Sequence, residues 1–173
     1  EEEFEFDLLI YATGFDGVTG PYDRIDIKGK EGRCLKEEWT TFPRTLFGMQ
    51  VDGYPNMLMI LGPHTARGNI PRNIEEVVEW QTDLISFMME NEFDRVEPDS
   101  AAVDDWINTV SKASEGLLSS KIASWQTGVN RNVEGRSAPR VLGYNGGAVR
   151  YRKIIDSVAT REYQEFLFSQ IGK

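Results

Sequence analysis

Cysteine and histidine are nearly absent from these 173 residues: Cys34 and His64 are the only ones. One thiol cannot close an internal disulfide, so the chain reads as cytoplasmic, with Cys34 a free thiol or a small buried apolar residue. A structural zinc site needs four nitrogen or sulfur ligands, so no metal site is expected. Cations are in the minority, 19 Lys and Arg against 28 Asp and Glu, for a net charge of −9. That balance argues against nucleic acid and anionic membranes as partners. No apolar run approaches the ~20 residues of a membrane span. The start, Glu1-Glu2-Glu3, is unlike a secretory signal, and no Asn-x-Ser/Thr occurs. Glycine is plentiful at 16, yet no two glycines are separated by a single residue. A Gly-x-Gly-x-x-Gly phosphate turn is therefore missing, and so is a P-loop. The Gly-x-Ser-x-Gly nucleophile elbow is missing as well.

What is present is 40% apolar residues, enough to build a core, in a pattern that changes once along the chain. Residues 1–72 read as strand-rich. Phe4, Phe6, Leu8 and Ile10 alternate and lead into Leu8-Leu9-Ile10-Tyr11-Ala12, a run suited to a strand covered on both faces. Arg24-Ile25-Asp26-Ile27-Lys28 alternates before Gly29 and Gly32, as a half-exposed hairpin strand does. Met57 to Leu61 reads as a second buried strand, stopped by Gly62-Pro63. His64 follows that turn; it reads either as a locally hydrogen-bonded loop residue, the commoner case, or as an imidazole base.

Residues 73–118 read as helical. Ile74, Val77, Val78, Leu84, Ile85 and Met88 share one face, with Asn73 as the expected cap and Glu76 completing a capping-box-like start. A second helix is expected from about Asp99, burying Val103, Trp106, Ile107, Val110, Ala113 and Leu117. Residues 119–149 have little period and much Gly, Asn, Arg and Ser, and are too long for a plain connector, so they are expected to be mobile or functional. In the last stretch, 150–173, Tyr163, Phe166 and Leu167 suggest a short amphipathic helix. No repeat or linker divides the chain, and 1–173 is expected to be one unit.

The run from Asp7 to Asp16 ends in Ala12-Thr13-Gly14-Phe15. It resembles the Ala-Thr-Gly segment that joins the NADP domain back to the FAD domain in flavoproteins with two dinucleotide-binding domains. Further blocks follow in order: Ile25-Asp26-Ile27-Lys28-Gly29 with Leu35 and Trp39; Phe47-Gly48; Gly53-Tyr54-Pro55-Asn56-Met57; Leu61-Gly62-Pro63. Then come Asn69-Ile70-Pro71, Val78-Glu79-Trp80, Ser124-Trp125-Gln126-Thr127-Gly128-Val129-Asn130, Gly146-Gly147 and Tyr151-Arg152. Together they resemble the C-terminal third or so of a Baeyer–Villiger monooxygenase, a class B flavoprotein that uses FAD and NADPH to turn a ketone and O2 into an ester or lactone.

The resemblance implies an α/β fold, the C-terminal part of a Rossmann-like flavoprotein, incomplete in this chain. It implies that Thr13 and Gly14 lie at the cofactor crossing and that Asn69 and Ile70 approach the flavin edge. It implies that Trp125 belongs to a mobile loop closing on NADP; the other reading of Trp125 is a half-buried surface anchor, and its place in an aperiodic stretch favours the cofactor reading. Asn130 or Asn132 occupies the family's matching loop position. Arg67, Gly68, Val141 and Leu142 fall where relatives line the ketone pocket. Both dinucleotide fingerprints and the family's catalytic Arg are missing, so no catalytic residue is assigned here. The chain is expected to be inactive alone, to need the family's N-terminal part as its partner, and to self-associate through uncovered strands. Two other readings remain: a non-catalytic interaction module, and the end of an N- or heteroatom-oxidising flavin monooxygenase.

Overall fold

In the computed structural model, which describes residues 3–11 and 16–170, the helical part follows the sequence pattern and the first part departs from it. Two single-turn helices, α1 (Gly20–Asp23) and α2 (Leu35–Glu38), precede the long α3 (Ile70–Glu90). Then come β1 (Arg95–Pro98), α4 (Ser100–Ser114), α5 (Ala148–Thr160) and β2 (Phe166–Ser169), giving a small mixed helix/strand unit.

Helix α3 begins one turn earlier than expected. Asn69 is its cap, accepting from the Arg72 N–H at 3.1 Å, and Pro71 sits in the first turn, where a missing N–H costs nothing. Asn73, the expected cap, lies buried inside the helix and donates through Nδ2 to the Ala66 carbonyl at 3.0 Å. Glu76 makes no capping box; it pairs with Arg72 at 3.1 Å and with Arg152 of α5. Val77, Trp80, Gln81 and Leu84 form the buried stripe, while Ile74, Val78 and Ile85 of the expected face are exposed, because the side turned inward is the one that brings Trp80 onto α5 and the rings of Tyr163 and Phe166. Helix α4 starts where the sequence places it, with Asp99 accepting from the Ala101 N–H at 2.7 Å and Val103, Trp106 and Val110 turned inward.

The short helix expected around Tyr163, Phe166 and Leu167 is instead β2, antiparallel to β1 with Val96 opposite Phe168 and Pro98 opposite Phe166. Neighbouring rings select the strand: Phe168 stacks on Phe93 at 5.0 Å and Phe166 lies 5.9 Å from Trp80. The helix lies upstream, in α5, whose Tyr151, Ile155 and Val158 are buried at i, i+4 and i+7. Its Arg150, Arg152 and Lys153 mask that stripe in the sequence.

The strand-rich reading of residues 1–72 is overturned among the described residues. Leu8, Ile10 and Tyr11 are 75%, 77% and 80% exposed and belong to no ladder; Ala12 lies outside the described residues. The expected hairpin strand 24–28 reduces to a single bridge, Lys28 with Cys34, around a turn in which the Gly29 N–H donates to the Arg33 carbonyl at 2.8 Å. Residues 57–61 are extended but held only at points, as where the Met59 N–H donates to the Met49 carbonyl at 2.8 Å. The apolar residues are spent on packing. Leu35, Trp39, Val51, Tyr54 and Met59 make a small cluster beside the main core of α3, α4 and α5. A turn at Leu46–Gln50 is tied to that core by the Tyr151 hydroxyl, which donates to the Phe47 carbonyl at 2.6 Å.

Candidate functional site

Two segments far apart in sequence run side by side beneath the N-terminus of α3. The His64 N–H donates to the Leu142 carbonyl at 3.1 Å, the Tyr144 N–H to Thr65 at 2.9 Å, and the Arg67 N–H to Tyr144 at 3.3 Å. Ala66 and Tyr144 form a parallel bridge, with Ala66, Leu142 and Tyr144 buried beneath it. Over this floor sits a single 3-10 turn, Trp125–Thr127. Its start is capped reciprocally by Ser124 and Thr127, and Thr127 Oγ1 also donates to the Ile122 carbonyl at 2.8 Å. Gly128 ends it at φ 69, where a Cβ would stand 2.6 Å from Arg140 Nη2 and 2.7 Å from Leu142 Cδ1.

The cavity between floor and turn holds about 360 Å³ and is lined by Val18, Leu61, Gly62, Thr65, Ala66, Arg67, Gly68, Ile70, Asn73, Trp125, Gln126, Leu142 and Gly143. Arg67, Gly68, Ile70, Trp125 and Leu142 of the expected site therefore meet here. Asn69 stands just outside, its side chain spent on the cap of α3. Val141 does not line the cavity; its carbonyl faces His64 Nε2 at 3.2 Å. Asn130 is elsewhere too: its Oδ1 accepts from the Asn132 N–H at 3.1 Å, inside its own turn. Thr13 and Gly14 lie outside the described residues. Gln126 and Asn73 were not anticipated as lining residues. Gln126 sits beside Trp125 in an aperiodic stretch, and Asn73 carries a helix-start signal that concealed its inward position.

Arg67 is the cation of the lining. Its Nη1 and Nη2 donate to Oε1 and the carbonyl of Gln126, both at 2.9 Å, so neutral acceptors hold the guanidinium and fix the turn. Partial desolvation lowers its pKa from the usual arginine value. Among the described residues no carboxylate lines the cavity, and the positive end of α3 opens at its rim, so it favours a carbonyl- or anion-bearing ring. A second cleft of about 380 Å³, near Lys28, Lys30 and Arg95, holds none of the expected residues. Its cations are already engaged, Lys28 with Asp26 at 3.0 Å, Lys30 with Glu97, and Arg95 at 3.9 Å from Glu97. No group of His, Cys, Asp and Glu among the described residues could hold a metal ion.

His64 is fully buried beneath the floor, stacked on Phe42 at 5.2 Å, with Nδ1 3.1 Å from Thr45 Oγ1. It is a core residue and does not line the cavity. Burial pushes its pKa down to about 4, against a raising contribution from the Val141 carbonyl. Between about pH 6.5 and 4 the unfolded chain binds a proton that the folded chain refuses, so stability is present above that window and lost as pH falls through it. Urea unfolding at pH 7.5 and 4.5 should show a loss of about 2–3 kcal/mol that is missing in His64→Gln. Equal losses in both proteins would remove His64 from the account.

No family model matches the chain. Among curated relatives it is 37% identical over 165 residues to phenazine N-monooxygenase from Lysobacter antibioticus, covering 95% of this chain and 30% of that protein. It is 38% identical over 162 residues to cyclohexanone 1,2-monooxygenase from Acinetobacter sp, covering 94% of this chain and 29% of that protein. Among solved structures, cyclohexanone monooxygenase from Rhodococcus sp. Phi1 bound to NADP+ superposes with a TM-score of 0.89 at 35% identity, over 96% of this chain and 31% of the other. The OTEMO complex with FAD and NADP superposes with a TM-score of 0.83 at 33% identity, over 98% and 31%. The chain thus spans about 30% of the length of the relatives it matches.

Proposed function

The chain matches a portion of the Baeyer–Villiger monooxygenases of the cyclohexanone monooxygenase type, and from that premise we propose that it is the C-terminal part of an FAD- and NADPH-dependent monooxygenase that inserts one oxygen atom of O2 into a ketone to give an ester or lactone. The observation that carries the reading is the meeting of Arg67, Gly68, Ile70, Trp125 and Leu142 in one cavity. A volume of about 360 Å³ suits a ring system and is too small for a whole dinucleotide, so this chain would hold one end of a cofactor or the substrate ring. The reduced flavin supplies the oxygen chemistry when bound. This chain's share is to orient and enclose. The N-terminus of α3, at Asn69 and Ile70, offers positive potential to a flavin edge. Trp125 covers NADP. Arg67 holds Gln126 and with it the covering turn.

Completion of the Rossmann-like architecture, including both phosphate-binding turns, falls to the remaining part of such an enzyme, so the 173 residues alone are inactive. The unladdered, exposed Leu8–Tyr11 run supports that dependence and, in its absence, self-association. A cytoplasmic location accords with the free Cys34, and no helix among the described residues is long and apolar enough to cross a membrane.

One alternative has specific support. The relative named for phenazine N-oxidation is as similar as the one named for cyclohexanone, which favours a nitrogen heterocycle as second candidate substrate. The test is a flavin-fluorescence titration of the chain, followed by fusion to the first two thirds of the Acinetobacter enzyme. No saturable FAD binding by the chain and lactone-forming, NADPH-consuming activity in the fusion are expected. In the fusion, Trp125→Ala should raise the NADPH requirement by about tenfold with FAD retained. Stoichiometric FAD binding by the 173 residues would overturn the fragment reading. N-oxide formation without lactone would favour the alternative.

A further inference from the structure

We propose that Arg136 is a positioning residue: paired with Asp16 and Asp23, it pins the loop that carries Trp125 against the chain at residue 17 and so sets the indole at the mouth of the cavity. The functional consequence rests on the cofactor reading of Trp125; the latch itself does not.

From Arg131 to Pro139 the chain is exposed or half-exposed except at Arg136, whose side chain is 3% exposed. Nothing in the local pattern would bury a guanidinium in so polar a stretch. Its two ends account for it: Nη1 donates to Asp16 and Nη2 to Asp23, two carboxylates that come from a segment more than a hundred positions earlier. Its own backbone closes the loop's turn, accepting from the Asn130 N–H at 2.9 Å and donating to the Val133 carbonyl at 3.2 Å. Arg140 and Lys36 also act on Asp23, so three cations face the two carboxylates at the loop's anchor. A guanidinium this buried is stable only while paired, so it holds the loop in one register.

An independent contact shows where that register leads. Gly17, next to Asp16, lies under the Trp125 ring: a Cβ there would stand 3.0 Å from Cε3. The residue is otherwise half-exposed, at 48%, and lines the cavity. Trp125 is thus held on one side by the segment that Arg136 grips. Loop and segment meet at two points, the Asp16–Arg136–Asp23 cluster and the Gly17–Trp125 contact, and the first enforces the second.

The test uses the 173-residue chain labelled with 5-fluorotryptophan, whose four indoles give four fluorine resonances, that of Trp125 assigned by Trp125→Phe. Arg136→Met should move the Trp125 resonance toward that of free fluorotryptophan and narrow it, leaving those of Trp39, Trp80 and Trp106 in place. The pair Asp16→Asn with Asp23→Asn should do the same, and Arg136→Lys should restore most of the native position. A Trp125 resonance unmoved in Arg136→Met overturns the proposal. So does a common shift of all four, or Lys behaving as Met does. Failure of NADPH dependence in the fusion would remove the cofactor reading and leave this readout as it stands.

Discussion

Gly48→Ala is expected to cost about 2–5 kcal/mol and to disturb the cavity floor along with the core. Gly48 and Phe47 occupy the centre of the Leu46–Gln50 turn with φ of 72 and 55, the pairing of left-handed residues a I′-type turn requires. Alanine there first meets backbone strain of about 1–2 kcal/mol. It then meets matter: its Cβ would stand 2.1 Å from Thr65 Oγ1, 2.7 Å from Thr65 N and 2.8 Å from the Pro63 carbonyl. The hydroxyl can rotate away, but the two backbone atoms cannot. They belong to the strand-like segment whose Thr65 carbonyl receives the Tyr144 N–H, so relief must open the floor under Arg67. Overpacking of this kind adds about 1–3 kcal/mol. Gly116 isolates the strain: its φ is 75 with nothing within 4 Å, so Gly116→Ala should cost about 1 kcal/mol. Urea midpoints of the two variants check the comparison, and equal costs would show that the close approach at Thr65 is unimportant.

Helices α3 and α4 were legible as helices because a 3.6-residue stripe is a property of the segment itself; Val103, Trp106 and Val110 are buried as spaced, whereas in α3 Val77 and Leu84 are buried and Ile74, Val78 and Ile85 of the same expected face are exposed. The strands were not, because a strand is a property of a pair. Leu8-Leu9-Ile10 reads as doubly covered only if other strands lie beside it, and none of the described residues does so. Conversely, Arg95–Pro98 carries no alternation that would mark β1; it becomes a strand because Phe166 and Phe168 need the far side of α3's aromatic cluster.

The cavity was legible to the same degree and for a related reason. Arg67, Gly68 and Ile70 lie on consecutive turns of chain, so finding one finds the others. Trp125 and Leu142 joined them through motif resemblance, which periodicity could not supply. Asn130 lies outside the cavity, in a turn closed by the Arg136 backbone, and the carboxylates paired with Arg136 lie over a hundred positions away. A buried arginine in a polar stretch leaves no local trace.

Trp80→Ala should cost about 4 kcal/mol and loosen the β1–β2 pair before the rest of the unit. Trp80 is 4% exposed and joins three elements at once. Its Nε1 donates to the Ile155 carbonyl at 2.8 Å, tying α3 to α5. Its ring meets Tyr163 edge-on at 5.3 Å and Phe166 at 5.9 Å, tying α3 to the end of the chain. Truncation removes a large apolar side chain and leaves a void that Val77 and Leu84, already buried, cannot fill without moving α3. The two strands, four residues each, have no other sheet neighbours among the described residues, so ring packing carries their pairing. Trp80→Phe separates the contributions, since it keeps an aromatic ring and loses only the N–H and part of the volume; about 1–2 kcal/mol is expected. Val96 turns its own N–H to Asn56 Oδ1, so the pair is read at the next position: hydrogen exchange at the Glu97 and Leu167 amides should accelerate in Trp80→Ala by more than at the centre of α4. Uniform acceleration at both places would mean that Trp80 supports the whole core equally, and that the β1–β2 pair is held by Phe87 and Phe93 instead.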